Sequence, residues 1–120
     1  MKAQTEHYEQ VALFQWAAMS LQAYPELDLM YAIPNAARRS PRLGAWMKAE
    51  GMRAGVPDVH LPVARGPYIG LWMELKAGKN KPTPEQKTRM AALSEAGHRC
   101  EVCYSWDAAR SVIEEYLNAG

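Results

Sequence analysis

Three residues have the types and spacing to do chemistry together: Asp58, Glu74 and Lys76. They lie in "GVPDVHLPVARGPYIGLWMELKAGKNKPTPEQ", where Asp58 opens one apolar run and Glu74 and Lys76, from sixteen residues later, close the next. A charge among apolar strand residues costs free energy unless it is paired or bound to an ion. Glu74 and Lys76 are two apart, so they share one strand face. A turn near Arg65 to Pro67 brings 58 and 74 to the same open end of a hairpin. Two carboxylates meeting there repel unless a cation lies between them. Their oxygens are hard ligands suited to Mg2+ or Mn2+, and the backbone carbonyl of Leu75 offers another. A lysine beside them can hold an attacking water or stabilise charge on a phosphate. The structural alternative is an ion pair across a hairpin end. E-x-K alone is common, whereas P-D, then E-x-K, then "TPEQ" is far more restrictive.

These residues need a scaffold, and the sequence outlines one. Thr5 can cap a helix to about Leu21, with Val11, Phe14, Ala17, Ala18 and Leu21 at three- and four-residue steps. "LDLMYAI" reads as a strand stopped by Pro34. "SPRLGAWMKAEG" has Ser40 as N-cap, Pro41 in the first turn and Gly51 as its stop. "DVHLPV" and "YIGLWMELK" are strands joined by "ARGP", and Gly70 inside the second suggests a bulge or a close approach of backbone. Thr83 and Gln86 have capping-box spacing for a helix that Gly97 ends. "RCEVCYS" is the next strand, and Asp107 opens a last helix through about Leu117. This order predicts a small mixed sheet with helices on its faces, and a crossover between the last two strands.

The chain has 120 residues, 48% hydrophobic and 22% charged, which fits one domain over residues 1–120. No apolar run reaches membrane-spanning length and no signal peptide opens the chain, so a cytoplasmic location without membrane partners is expected. Net charge is +1, but from Arg38 to Arg89 eleven Lys or Arg face four acids, a local excess of +7. The ends together carry −6. A basic centre suits a polyanion, and equally well a set of solvated helix faces. Cys100 and Cys103 sit on an alternating strand, facing opposite sides, and read as reduced structural cysteines rather than a redox or zinc pair. Trp16, Trp46, Trp72 and Trp106 read as core or interface residues. His60, on the face of Asp58, reads as a half-buried structural histidine, and His7 and His98 show no ligand spacing.

Taken together, "GVPDVHLPV…GLWMELKAGKNKPTPEQ", with "TEHYEQVALFQW", "YAIPN" and "EVCYSWDAARSVIEEYL", resembles the virus-type replication-repair nuclease (VRR-NUC) domain of the PD-(D/E)XK nuclease superfamily. The resemblance implies a restriction-endonuclease-like α/β (α+β) core and Mg2+- or Mn2+-dependent cleavage of phosphodiester bonds. It also implies a stand-alone protein of phage or bacterial type, acting as a homodimer on branched DNA such as four-way junctions. It maps the catalytic set onto Glu6, Asp58, Glu74 and Lys76, and the metal ligands onto Glu6, Asp58, Glu74 and the Leu75 carbonyl. Glu9, one turn after Glu6, competes with it for the first-helix role. Gln10 and Gln86 match supporting positions, with Gln86 equally placed to close the capping box. Asn35 either faces the site or simply makes a turn. Lys79 and Lys81 in "AGKNKP", with Arg38, Arg39 and Arg42 at the start of the second helix, are expected to contact the DNA backbone, which positions a duplex without reading sequence. The competing classes are a non-catalytic DNA-binding module, a nuclease for flaps or other structures, and an RNase. Four Trp, six Tyr and seven Met are more large apolar surface than so small a sheet hides, which also points to a dimer interface.

Overall fold

The computed structural model describes residues 4–34 and 40–119. Helix α1 (Gln4–Met19) is followed by a short 3-10 turn (Pro25–Leu29) and strand β1 (Tyr31–Ala32). Next come α2 (Pro41–Ala49), β2 (Val59–Leu61), β3 (Leu71–Leu75), α3 (Pro84–Glu95), β4 (Arg99–Cys103) and α4 (Trp106–Asn118). The strands form one sheet in the order β1-β2-β3-β4. β1 to β3 are antiparallel, and β3 runs parallel to β4 across the α3 connection. The expected mixed sheet flanked by helices is therefore present, and it is compatible with a PD-(D/E)XK-like core.

Alternation divides the sheet into two faces. Val59 and Leu61 on β2, Leu71, Met73 and Leu75 on β3, and Cys103 on β4 are buried on one face, against Leu13 and Ala17 of α1 and Ala109, Ile113, Tyr116 and Leu117 of α4. Tyr116 anchors this layer by donating its hydroxyl to the Val63 carbonyl. Arg65, in the hairpin turn, donates to the Leu117 carbonyl at the end of α4 and pairs with Glu26. The opposite face carries His60, Trp72 and Glu74, and α3 covers its far side, where Cys100 Sγ lies 3.6 Å from the Met90 carbonyl.

Local signals explain most element ends. Ser40 Oγ accepts from Leu43 N, and Pro41 occupies the first turn of α2. Thr83 and Gln86 close a full capping box on α3. Gly51 and Gly97 end α2 and α3 with φ of 106° and 110°, a region that residues with a Cβ avoid.

Three expectations need correction. "LDLMYAI" is a strand only at Tyr31–Ala32, because Pro25 starts a 3-10 turn that buries Leu27 and is closed by Met30 N donating to the Leu27 carbonyl. The last helix is capped by Ser105, whose hydroxyl accepts from Ala108 N, and Asp107 lies inside its first turn. Thr5 lies within the first turn of α1, since the helix already includes Gln4. The cysteines fall as expected on opposite faces, both free. Burial holds the Cys103 thiol up at about 11, which keeps it protonated and unreactive.

Candidate active site

The β2–β3 register pairs Val59 with Met73 and His60 with Trp72, so Asp58 and Glu74 come next, opposite one another. Asp58 is held from both neighbouring strands. Its carbonyl accepts from Ile33 N at 2.8 Å, and its Oδ2 accepts from Leu75 N at 2.8 Å. Glu74 is 2% exposed. Its Oε2 accepts from Gln86 Nε2 at 3.1 Å and lies 3.6 Å from Lys76 Nζ. A buried carboxylate of this kind is tolerable only with such donors and cations around it.

Gln86 makes two contacts at once. Its Oε1 accepts from Thr83 N at 2.8 Å, closing the α3 cap, while its Nε2 reaches Glu74. The cap thereby fixes which end of the amide faces the carboxylate.

Glu6 is the one carboxylate besides Glu74 that is buried among the described residues, at 6% exposure. It reaches over the end of β3, where its Oε2 accepts from Ala77 N at 3.1 Å and from Asn80 Nδ2 at 2.9 Å. It therefore sits just beyond Lys76 and ties down the loop that carries Lys79 and Lys81. Gln10 follows one turn later, half-buried. Glu9 is committed elsewhere, its Oε2 accepting from Trp106 N at 2.9 Å at the start of α4. Negative charge at a helix N-terminus is favourable, so this bond accounts for Glu9. The structure thus brings Asp58, Glu74, Lys76 and Gln86 together and sets Glu6 beside them. Among the described residues, no three His, Cys, Asp or Glu side chains gather closely enough to hold an ion by themselves.

The donor set nevertheless fits a hard divalent cation. Mg2+ commonly takes one or two carboxylates and fills its remaining positions with water and substrate phosphate. Asp58 and Glu74, with the Leu75 carbonyl between their strands' ends, supply oxygens only.

Different consequences are expected for the two acids of α1. Glu6→Gln should slow cleavage about 10- to 100-fold, the usual cost of disturbing a group that supports a metal site. Glu9→Gln should leave the rate near wild type and lower stability by about 1 kcal/mol. Single-turnover rates and urea melts separate the two, and the reverse pattern would move the first-helix register by three residues.

Of the remaining expected DNA-backbone and site-support residues, Lys79 and Lys81 are exposed in the loop after the site, and Arg42 is exposed on α2. Asn35, Arg38 and Arg39 lie outside the described residues. Asn80 was not legible in the sequence, because its partner lies 74 positions away. The same holds for an aromatic cluster on this face. His60 stacks on Trp72 with ring centroids 3.8 Å apart, and its Nδ1 meets the Tyr31 hydroxyl at 2.7 Å. Trp72 Nε1 donates to His98 Nδ1 at 3.2 Å. Burial, and then the proximity of His98, push the His60 pKa down and favour the neutral ring. A Cβ at Gly70 would lie 2.9 Å from His98 Nδ1, so the glycine there marks a close side-chain approach rather than a bulge. His60 is a structural histidine, as expected. Trp16 and Trp106 pack on the core, while Trp46 is 69% exposed.

A family model described as "VRR-NUC domain" matches residues 2–107. A solved structure titled "VRR_NUC domain protein" is similar at 32% identity and a TM-score of 0.82, covering 99% of this chain and 93% of that one. No curated protein matches.

Proposed function

The chain belongs to the VRR-NUC domain family, and on that premise we propose that it is a Mg2+- or Mn2+-dependent DNA endonuclease selective for branched DNA such as four-way junctions. A nuclease-type function with DNA as substrate follows from the family. The finer reading is carried by one observation: two carboxylates opposite each other on paired strands, with a lysine and a glutamine on the buried one.

Asp58, Glu74 and the Leu75 carbonyl would hold the cation, with Glu6 supporting the set from the end of β3. A divalent ion bound there lowers the pKa of water and withdraws charge from a phosphate oxygen. The protein's own groups do the rest. Lys76 sets its Nζ 3.6 Å from Glu74, where it orients a water for in-line attack or meets the charge developing on the phosphate. Gln86 and Leu75 N hold the two carboxylates in place, so no reorganisation is required during the reaction.

The site lies beside the basic loop of Lys79 and Lys81, and contacts from such a loop to phosphates position DNA without reading its sequence, which favours selection by DNA shape. Among the described residues, no helix is long and apolar enough to cross a membrane. Leu43 and Trp46 on α2, Tyr8 and Met19 on α1 and Ile69 are exposed apolar groups, which supports assembly as a homodimer carrying two sites. One experiment tests both parts: four-way junction, flap, splayed-arm, linear DNA and RNA substrates with Mg2+ or EDTA, alongside light scattering at micromolar concentration. Paired incisions in the junction, dependent on metal and made by a dimer, are expected. A monomer that cuts flaps and ignores junctions would overturn the substrate and the dimer. Binding without cutting would leave a DNA-binding module.

The loop lysines should act on binding rather than on chemistry. Replacing Lys79 and Lys81 with Ala is expected to weaken DNA binding and flatten its log–log salt dependence by roughly 0.9 for each phosphate no longer neutralised. Anisotropy titrations over a salt series check this, and an unchanged slope would place the phosphate path elsewhere.

A further inference from the structure

A groove of about 720 Å³ runs from the active site between α2 and the N-terminus of α3. Asp58 and Gln86 stand at one end of it. Its walls carry two cations that the catalytic set does not use, Lys48 near the end of α2 and Arg53 in the loop that leads to Asp58. Both side chains are exposed. Small apolar groups such as Pro34, Ala45, Ala54 and Val56 line much of the remainder. Among the described residues, Glu85 is the one acid of the lining besides Asp58.

We propose that this groove seats the scissile DNA strand next to the cut, with Lys48 and Arg53 on its phosphates and the apolar lining against its sugars. The proposal rests on the nuclease reading and names the path of its substrate. Three features favour this occupant. The volume falls within the usual range for ligand sites, roughly 300–1,000 Å³, which suits a short length of one strand rather than a whole duplex. The two wall cations outnumber Glu85, the single acid outside the catalytic pair, and so complement a polyanion. The groove reaches Asp58 and Gln86, the residue that donates to Glu74, so a strand seated in it passes beside the proposed catalytic carboxylates.

The test uses the full chain and a fluorescein-labelled single-stranded oligodeoxynucleotide in EDTA, so that binding is read without cleavage. A Lys48→Ala, Arg53→Ala double variant is expected to bind more weakly, with its log–log salt slope reduced by roughly 1.4, two phosphates at about 0.7 each for a single strand. Ala45→Trp, which fills the groove without changing charge, is expected to weaken binding and leave the salt slope unchanged. All three positions are exposed, and thermal melts confirm that the variants fold. Wild-type binding by the double variant overturns the proposal. So does weak binding by the double variant with wild-type binding by Ala45→Trp, since charge would then act at a distance. Wild-type protein that binds in this way but cuts nothing with Mg2+ would overturn the nuclease reading and leave the groove as the strand's seat.

Discussion

Glu74→Gln is expected to abolish cleavage while leaving the fold in place. The substitution conserves shape at a position that is 2% exposed, so no cavity forms. What changes is charge and donor direction. Gln86 Oε1 is held by Thr83 N, so its Nε2 can only donate. The new amide must therefore offer its oxygen to Gln86 and turn a nitrogen toward the site, where an oxygen ligand was. Lys76, which is 12% exposed at its side chain, loses its carboxylate partner at the same time. Losing one oxygen ligand and the local charge balance removes about 4 kcal/mol of transition-state stabilisation, a rate loss of about 10³-fold or more. Asp58→Asn should behave alike, and it is a cleaner probe than Ala because its carbonyl still accepts from Leu75 N and keeps β2 and β3 in register. Plasmid nicking and junction cleavage measure the rate, and circular dichroism melts measure the fold. Cutting near the wild-type rate by either variant would sink the proposed site.

Much of this was legible because it is local. A two-residue spacing sets Glu74 and Lys76 on one face, and a hairpin with a known turn sets Asp58 opposite them. A capping box needs only Thr83 and Gln86. The parts that were not legible depend on tertiary contact. The resemblance favours Glu6 over Glu9, but as residue types they are alike, both acids in the early turns of α1. What separates them physically is tertiary contact, since one meets Ala77 and Asn80 while the other meets Trp106. Asn80 stands between Lys79 and Lys81, and nothing in its local sequence signals the bond to Glu6. "LDLMYAI" has strand composition, yet Pro25 sets a tight turn that buries Leu27, and tertiary packing overrides propensity there. His98 gained its role from Trp72, 26 positions away, and no spacing rule links them.

The second large effect is expected at Gly55, which touches no catalytic group. Its φ is 80°, and a Cβ placed there would lie 2.5 Å from the Glu85 carbonyl oxygen and 2.9 Å from Gln86 N. Those are backbone atoms in the first turn of α3, so they cannot swing aside as a side-chain tip would. Gly55 precedes Val56, Pro57 and Asp58, while Glu85 precedes Gln86, the residue that holds Glu74. The contact therefore joins the segment that aims one carboxylate to the helix that aims the other. Gly55→Ala should push the two apart, adding left-handed backbone strain to a steric clash. Strain of this kind costs about 1–3 kcal/mol, a fall in melting temperature of about 5–10 °C. Cleavage should fall more than stability, because a displacement of about 1 Å at a reacting centre costs about 10²-fold in rate. Measured at a temperature where the variant is fully folded, single-turnover cleavage with saturating DNA should drop by that factor. Gly51→Ala is the control: its φ is 106°, but a Cβ there meets nothing within 4 Å, so it should lose stability and keep its rate. Equal rates for the two variants would show that the Gly55 contact does not set the distance between the carboxylates.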